Sequence, residues 1–110
     1  MSEKEIKKIV NLINDFLAKR NICVKKIILF GSYAKKKAVK DSDIDIAIVS
    51  SSFDGKDVFQ RTKMLNGLDW SLVKNFKLPF DIVTLSSREW HEPASLIAAF
   101  VRTGREVLSV

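Results

Sequence analysis

The chain has 110 residues, 46% of them hydrophobic and 29% charged, with a formal net charge of +6. That balance excludes a disordered chain and fits one globular domain over residues 1–110 with a modest core. No apolar run approaches the roughly 20 residues that cross a bilayer, the start Met-Ser-Glu-Lys-Glu lacks an apolar signal core, and Cys23 as the one cysteine excludes an internal disulfide or a cysteine-built zinc site. A cytoplasmic protein without membrane contact is expected. Residues 1–40 hold eleven Lys/Arg against three Asp/Glu, so the charge sits at the front. A basic surface of that kind suits nucleic acid or a triphosphate equally.

Ser2 and Glu5 form a capping-box pair that starts a helix. Ile6, Ile9, Val10, Ile13, Phe16 and Leu17 keep helical spacing behind it, and Asn21 ends it. Val24 to Phe30 reads as a buried strand. Gly31-Ser32 breaks that strand, and Tyr33 to Lys37 suggest a short helix. Asp43 to Val49 form a second strand, with Ile44, Ile46 and Ile48 on one face and Asp43, Asp45, Ala47 and Val49 on the other. Ser51 to Lys56 read as a loop. One longer helix is expected from about Asp57 to Phe76, then a third strand from Phe80 to Leu85 after Pro79. A last helix from about Pro93 to Arg102 turns Leu96, Ile97, Phe100 and Val101 inward. Gly104 suits the left-handed position after it, and Val107-Leu108 suggest a short closing strand. Trp70 and Trp90 read as core residues, with a partner-facing role open for one of them, and His91 as a helix-start residue without catalytic duty.

This order gives an α/β (α+β) domain, a small sheet of three to four strands flanked by helices. The link between the first two strands is short for a parallel crossover. Those strands should run antiparallel, which makes the sheet mixed.

Gly31-Ser32 is followed after ten residues by Asp43-Ile44-Asp45. Gly31 lets backbone approach a ligand closely, and the free amides at Ser32 suit a phosphate. Asp43 and Asp45, two apart on a strand, project from one face about 7 Å apart at Cα. Carboxylates that close repel one another unless a cation lies between them, and hard oxygens of this kind suit Mg²⁺ shared with substrate phosphates. Asp81, at the start of the third strand, can join them across a ladder at about 5 Å if the two strands are neighbours. Three such carboxylates can hold two metal ions for in-line phosphoryl transfer.

Other motifs fail on their own terms. Asp41-x-Asp43-x-Asp45 opens like a calcium-binding EF-hand loop, but Ile46 and Ser52 stand where that loop needs Gly and Glu. No Gly-Lys-Ser/Thr follows Gly31, which removes a Walker-type loop.

Taken together, Gly31-Ser32-Tyr33-Ala34, the ten-residue gap, Asp43-x-Asp45 and Asp81 resemble the signature of the DNA polymerase beta-like nucleotidyltransferases. The likeness is nearest to the minimal nucleotidyltransferases found beside helical HEPN-domain proteins in toxin–antitoxin modules. The resemblance implies a palm-like nucleotidyltransferase fold and transfer of a nucleoside monophosphate, AMP from ATP favoured, to a hydroxyl on a HEPN-type protein partner. It implies catalytic and metal-binding roles for Asp43, Asp45 and Asp81 with two Mg²⁺ ions, and nucleotide binding by Gly31, Ser32 and Lys35. One departure stands out: Lys35-Lys36 occupy the place of the family's usual Arg-Gly, which keeps a charge but not the bidentate fork of Arg. Two other readings remain open. One is a non-catalytic antitoxin that acts by binding; the other is an RNA-directed transferase or binder, suggested by the basic front.

Overall fold

The structure is a computed structural model that describes residues 1–34 and 43–110. It opens with α1 (Glu3–Lys19), capped by the Ser2–Glu5 box and closed by Asn21 at a φ of 58°. Strand β1 (Val24–Phe30) leads into α2 (Gly31–Ala34), and β2 (Ile44–Ser50) into a single 3-10 turn at Ser51–Phe53. Then come α3 (Val58–Met64), α4 (Leu68–Phe76), β3 (Phe80–Ser86), α5 (Ser87–His91), α6 (Leu96–Val101) and β4 (Arg105–Ser109). The expected helix over Tyr33 to Lys37 is seen only as far as Ala34; its remainder lies outside the described residues.

The four strands lie in the order β3-β2-β1-β4. β1 runs antiparallel to both β2 and β4, while β2 and β3 are parallel. The sheet is therefore mixed, as the short first connection required. The parallel step uses the longer excursion through α3 and α4, which is what a crossover needs.

Strand alternation divides the core in two. Ile27, Leu29, Ile44, Ile46 and Ile48 pack against Ile6, Ile9, Val10, Ile13 and Leu17 of α1 and Leu68 and Leu72 of α4. Ile28, Phe30, Ala47, Val49 and Leu85 face the other way, onto Val101 of α6 and the half-buried Trp90. Ile13, Leu17 and Leu72 are wholly buried, and each such side chain contributes about 1.5–3 kcal/mol. That burial makes α1 and α4 the firm side of the sheet.

Several expectations change. The single helix over residues 57–76 is two helices, broken at Gly67, whose φ of 97° no continuous helix allows. The break turns α4 so that Leu68 and Leu72 reach the core, while α3 buries no residue. The stretch after Ser50 is more than a loop, since Phe53 is fully buried. The last helix starts at Leu96 with Ser95 as its cap, and its inward stripe is Ala98 and Val101. Leu96, Ile97 and Phe100 face outward instead. Trp70 is 67% exposed, so it is not a core residue. His91 closes α5 instead of starting a helix, with its Nδ1 against the Ser87 carbonyl at 2.8 Å. Helix α5 was itself signalled by the capping box of Ser86 and Glu89, a pattern the apolar periodicity hides.

Candidate active site

Gly31 ends β1 in the left-handed region, at φ 72°. Its missing side chain matters as much as its torsion. A Cβ there would overlap Oδ2 of Asp45 and lie 3.1 Å from its Cγ. The strand-ending turn and the carboxylate thus occupy adjoining space. Ser32, next in the chain, is exposed.

Asp45 is the second residue of β2 and half-buried. Its register partner on one side is Phe30 and on the other Asp81. Residues opposed across a ladder project from the same face about 5 Å apart. Asp81 therefore stands beside Asp45, as the adjacency of the second and third strands required. Asp43 lies just before β2 rather than inside it, and is exposed. Burial raises the Asp45 carboxyl above the usual carboxylate range, and the negative charges of Asp81 and then Asp43 push it further up. Asp45 thus feels the charge of both other acids at one end of the sheet.

Lys35 lies outside the described residues. Among the described residues, no three Asp, Glu, His or Cys side chains form a ready-made metal cage. The donor set nonetheless fits a divalent ion of the Mg²⁺ type, which takes one or two carboxylates and completes its shell with substrate phosphate and water. Mutual repulsion between Asp45 and its neighbours is what such an ion relieves.

Two features escaped the sequence. Gly104 has no left-handed torsion among the positive-φ glycines, contrary to expectation. It is needed for space, since a Cβ would lie 2.5 Å from the Leu29 carbonyl oxygen and 2.8 Å from Phe30 Cβ. The second is an aromatic pair, Phe100 and the Asp45 register partner Phe30, with ring centroids 5.7 Å apart. No local pattern joins residues so far apart in sequence.

Comparison with known proteins places the chain in a family. Residues 7–102 match the family model of the nucleotidyltransferase domain, and the chain belongs to that family. A Methanocaldococcus jannaschii protein, provisionally named a protein adenylyltransferase, is 51% identical over 47 residues, which cover 43% of this chain and 44% of the relative. The match thus spans less than half of that relative's length. A crystal structure of a toxin–antitoxin with AMP-PNP is similar at a TM-score of 0.63 and 24% identity, over 91% of this chain and 73% of that one. A mutant of the toxin–antitoxin MntA-HpeT, with two aspartates changed to glutamate, is similar at 0.67 and 24%, over 96% and 73%. A nucleotidyltransferase structure from Sulfolobus solfataricus reaches 0.60 at 17% identity, over 96% and 85%. At these identities the structural likeness is one of fold.

Proposed function

We propose that this protein is a metal-dependent adenylyltransferase that moves AMP from ATP to a hydroxyl of a small helical HEPN-type partner, as the antitoxin of a toxin–antitoxin pair. The observation that carries the reading is the shared rung of Asp45 and Asp81, set against the side-chain-free turn at Gly31. The family, the name of the archaeal relative and the toxin–antitoxin complexes of the same fold support it. The mutant complex changes two aspartates two positions apart, the spacing of Asp43 and Asp45.

In this mechanism the Gly31 and Ser32 amides hold the β- and γ-phosphates, with Lys35 adding charge. Asp43, Asp45 and Asp81 are the carboxylates that would hold two Mg²⁺ ions. Bound divalent ions supply Lewis acidity, lowering the pKa of the acceptor hydroxyl and neutralising the charge on the leaving oxygens. Asp81 takes the hydroxyl proton. The acceptor oxygen bonds to the α-phosphorus as the bond to the bridging oxygen breaks, and pyrophosphate leaves in line. A reaction that draws on cellular ATP belongs in the cytoplasm, and no helix among the described residues is long and apolar enough to cross a membrane.

The test is incubation with α-labelled ATP and Mg²⁺, alone and with the product of the neighbouring gene. Label should appear on the partner and little on the protein itself. Efficient labelling of a free small molecule without a partner, or no transfer at all, would end this reading.

A further inference from the structure

Gly104 joins two elements. Its amide donates to the Val101 carbonyl at the end of α6, at 2.9 Å, and β4 begins at the next residue. β4 runs antiparallel to β1, with Arg105 opposite Leu29 and Glu106 opposite Ile28. One further step of that register sets Gly104 level with Phe30, the last residue of β1. The Gly104 torsion is not left-handed, so alanine would be opposed there by contacts alone. A Cβ would lie 2.5 Å from the Leu29 carbonyl oxygen and 2.8 Å from Phe30 Cβ. Neither atom can swing aside as a side-chain tip can, so a strand must shift.

The start of β4 is tied on both sides. Val101, which accepts the Gly104 amide, is wholly buried. Arg105 holds Glu3 through two hydrogen bonds of 2.6 and 2.7 Å. The shift therefore falls on the end of β1, where only the Gly31 turn follows. On its far side β1 meets β2, with Phe30 the register partner of Asp45. There the Asp45 carboxylate lies so close to Gly31 that a Cβ on that glycine would overlap it. Movement of Leu29 and Phe30 away from Gly104 thus carries the Gly31 turn against Asp45.

We propose that Gly104 is a positioning residue for the triphosphate site, its missing side chain fixing the gap between the Gly31 turn and the Asp45 carboxylate. The inference rests on the triphosphate reading above. The turn must meet phosphate while the carboxylate meets the metal on that same phosphate, so both have to be placed at once. Misplacement by about 1 Å in a positioned site costs on the order of 100-fold.

The test titrates wild type, Gly104→Ala and Gly55→Ala in Mg²⁺ with ATP and with inorganic tripolyphosphate, each where urea curves show the protein fully folded. Gly104→Ala should weaken both ligands by one common factor, of the order of 10- to 100-fold. Gly55→Ala, whose added Cβ meets nothing within 4 Å, should weaken neither. A folded Gly104→Ala with wild-type affinity overturns the proposal, and so does a loss confined to ATP, which would place the effect on the base. Should Gly104→Ala fail to fold, wild type alone decides. Coupling between sites is reciprocal, so Mg-tripolyphosphate should slow amide hydrogen exchange at Gly104 as well as at Gly31 and Ser32, and leave Gly55 unchanged. Slowing at Gly31 and Ser32 without slowing at Gly104 overturns the proposal but keeps the triphosphate site. A wild type that binds neither ligand removes the triphosphate reading itself, and this role with it.

Discussion

Asp45 and Asp81 occupy the same rung of the parallel β2–β3 ladder. Register holds their backbones about 5 Å apart, so the two carboxylates share one small region and the Asp81 charge acts on Asp45. Asp45→Asn removes charge from that rung at little structural cost. Its thermal midpoint in the absence of Mg²⁺ should be no lower than wild type. In wild type, Mg-ATP at one hundred times its Kd should stabilise by about 2.7 kcal/mol, and the variant should lose that gain. Melting curves with and without Mg-ATP check both halves.

Asp81→Asn should separate binding from chemistry. Loss of a general base lowers turnover by about 10²- to 10⁴-fold. ATP affinity should fall much less, because Asp43 and Asp45 remain. Single-turnover labelling set beside equilibrium titration reads the two quantities, and wild-type turnover would remove Asp81 from the mechanism.

Gly31 and Gly55 share a φ of 72° but not their surroundings. A Cβ at Gly55 meets nothing within 4 Å, whereas one at Gly31 overlaps the Asp45 carboxylate. Gly55→Ala should cost about 1–2 kcal/mol from torsion alone. Gly31→Ala should cost more, and it alone should abolish Mg-ATP binding by displacing Asp45. Equal losses of stability, with binding kept in both, would contradict the close packing of turn and carboxylate.

Glu89 gives a pH-dependent prediction away from the site. Burial by itself would raise its carboxyl, but the Ser86 amide and hydroxyl and the Arg61 guanidinium together hold it below the usual range. The Arg61 contact is 2.7 Å and the Ser86 amide donates at 2.8 Å. A depressed folded pKa gives stability that is complete above the unfolded value, about 4.3, and is lost as pH falls through the folded one. Glu89→Gln should therefore be less stable than wild type at pH 7, by about 0.5–1 kcal/mol for a partly exposed pair. The gap should close in acid below the folded pKa. Urea titrations at pH 7 and at pH 3 and below measure it.

Sheet strands and acids were legible in the sequence because both depend on local period. Alternation in Ile44 to Val49 announces which face carries Asp45, and the short link after Gly31 announces an antiparallel first pair. The division of α6 was not legible, since every residue from Leu96 to Val101 is apolar and period alone cannot choose a stripe. Placement of Ser95 as the cap decides it, leaving Phe100 outside. Gly67 was visible in the sequence, but helical spacing on either side of it concealed the break. Gly104 shows how a right residue can carry a wrong reason, because the demand on it comes from Leu29 and Phe30, which are distant in the chain.

Strand β4 pairs with β1, and Arg105 grips Glu3 at the start of α1 through two hydrogen bonds of 2.6 and 2.7 Å. Among the described strands, the first in sequence is thus completed by the last. Until residues 104–109 have emerged, β1 has an open hydrophobic edge next to the turn that would hold a triphosphate. Closing so long a loop delays the final step of folding. A chain cut before Gly104 would leave that edge of β1 unpaired and prone to pair with other chains.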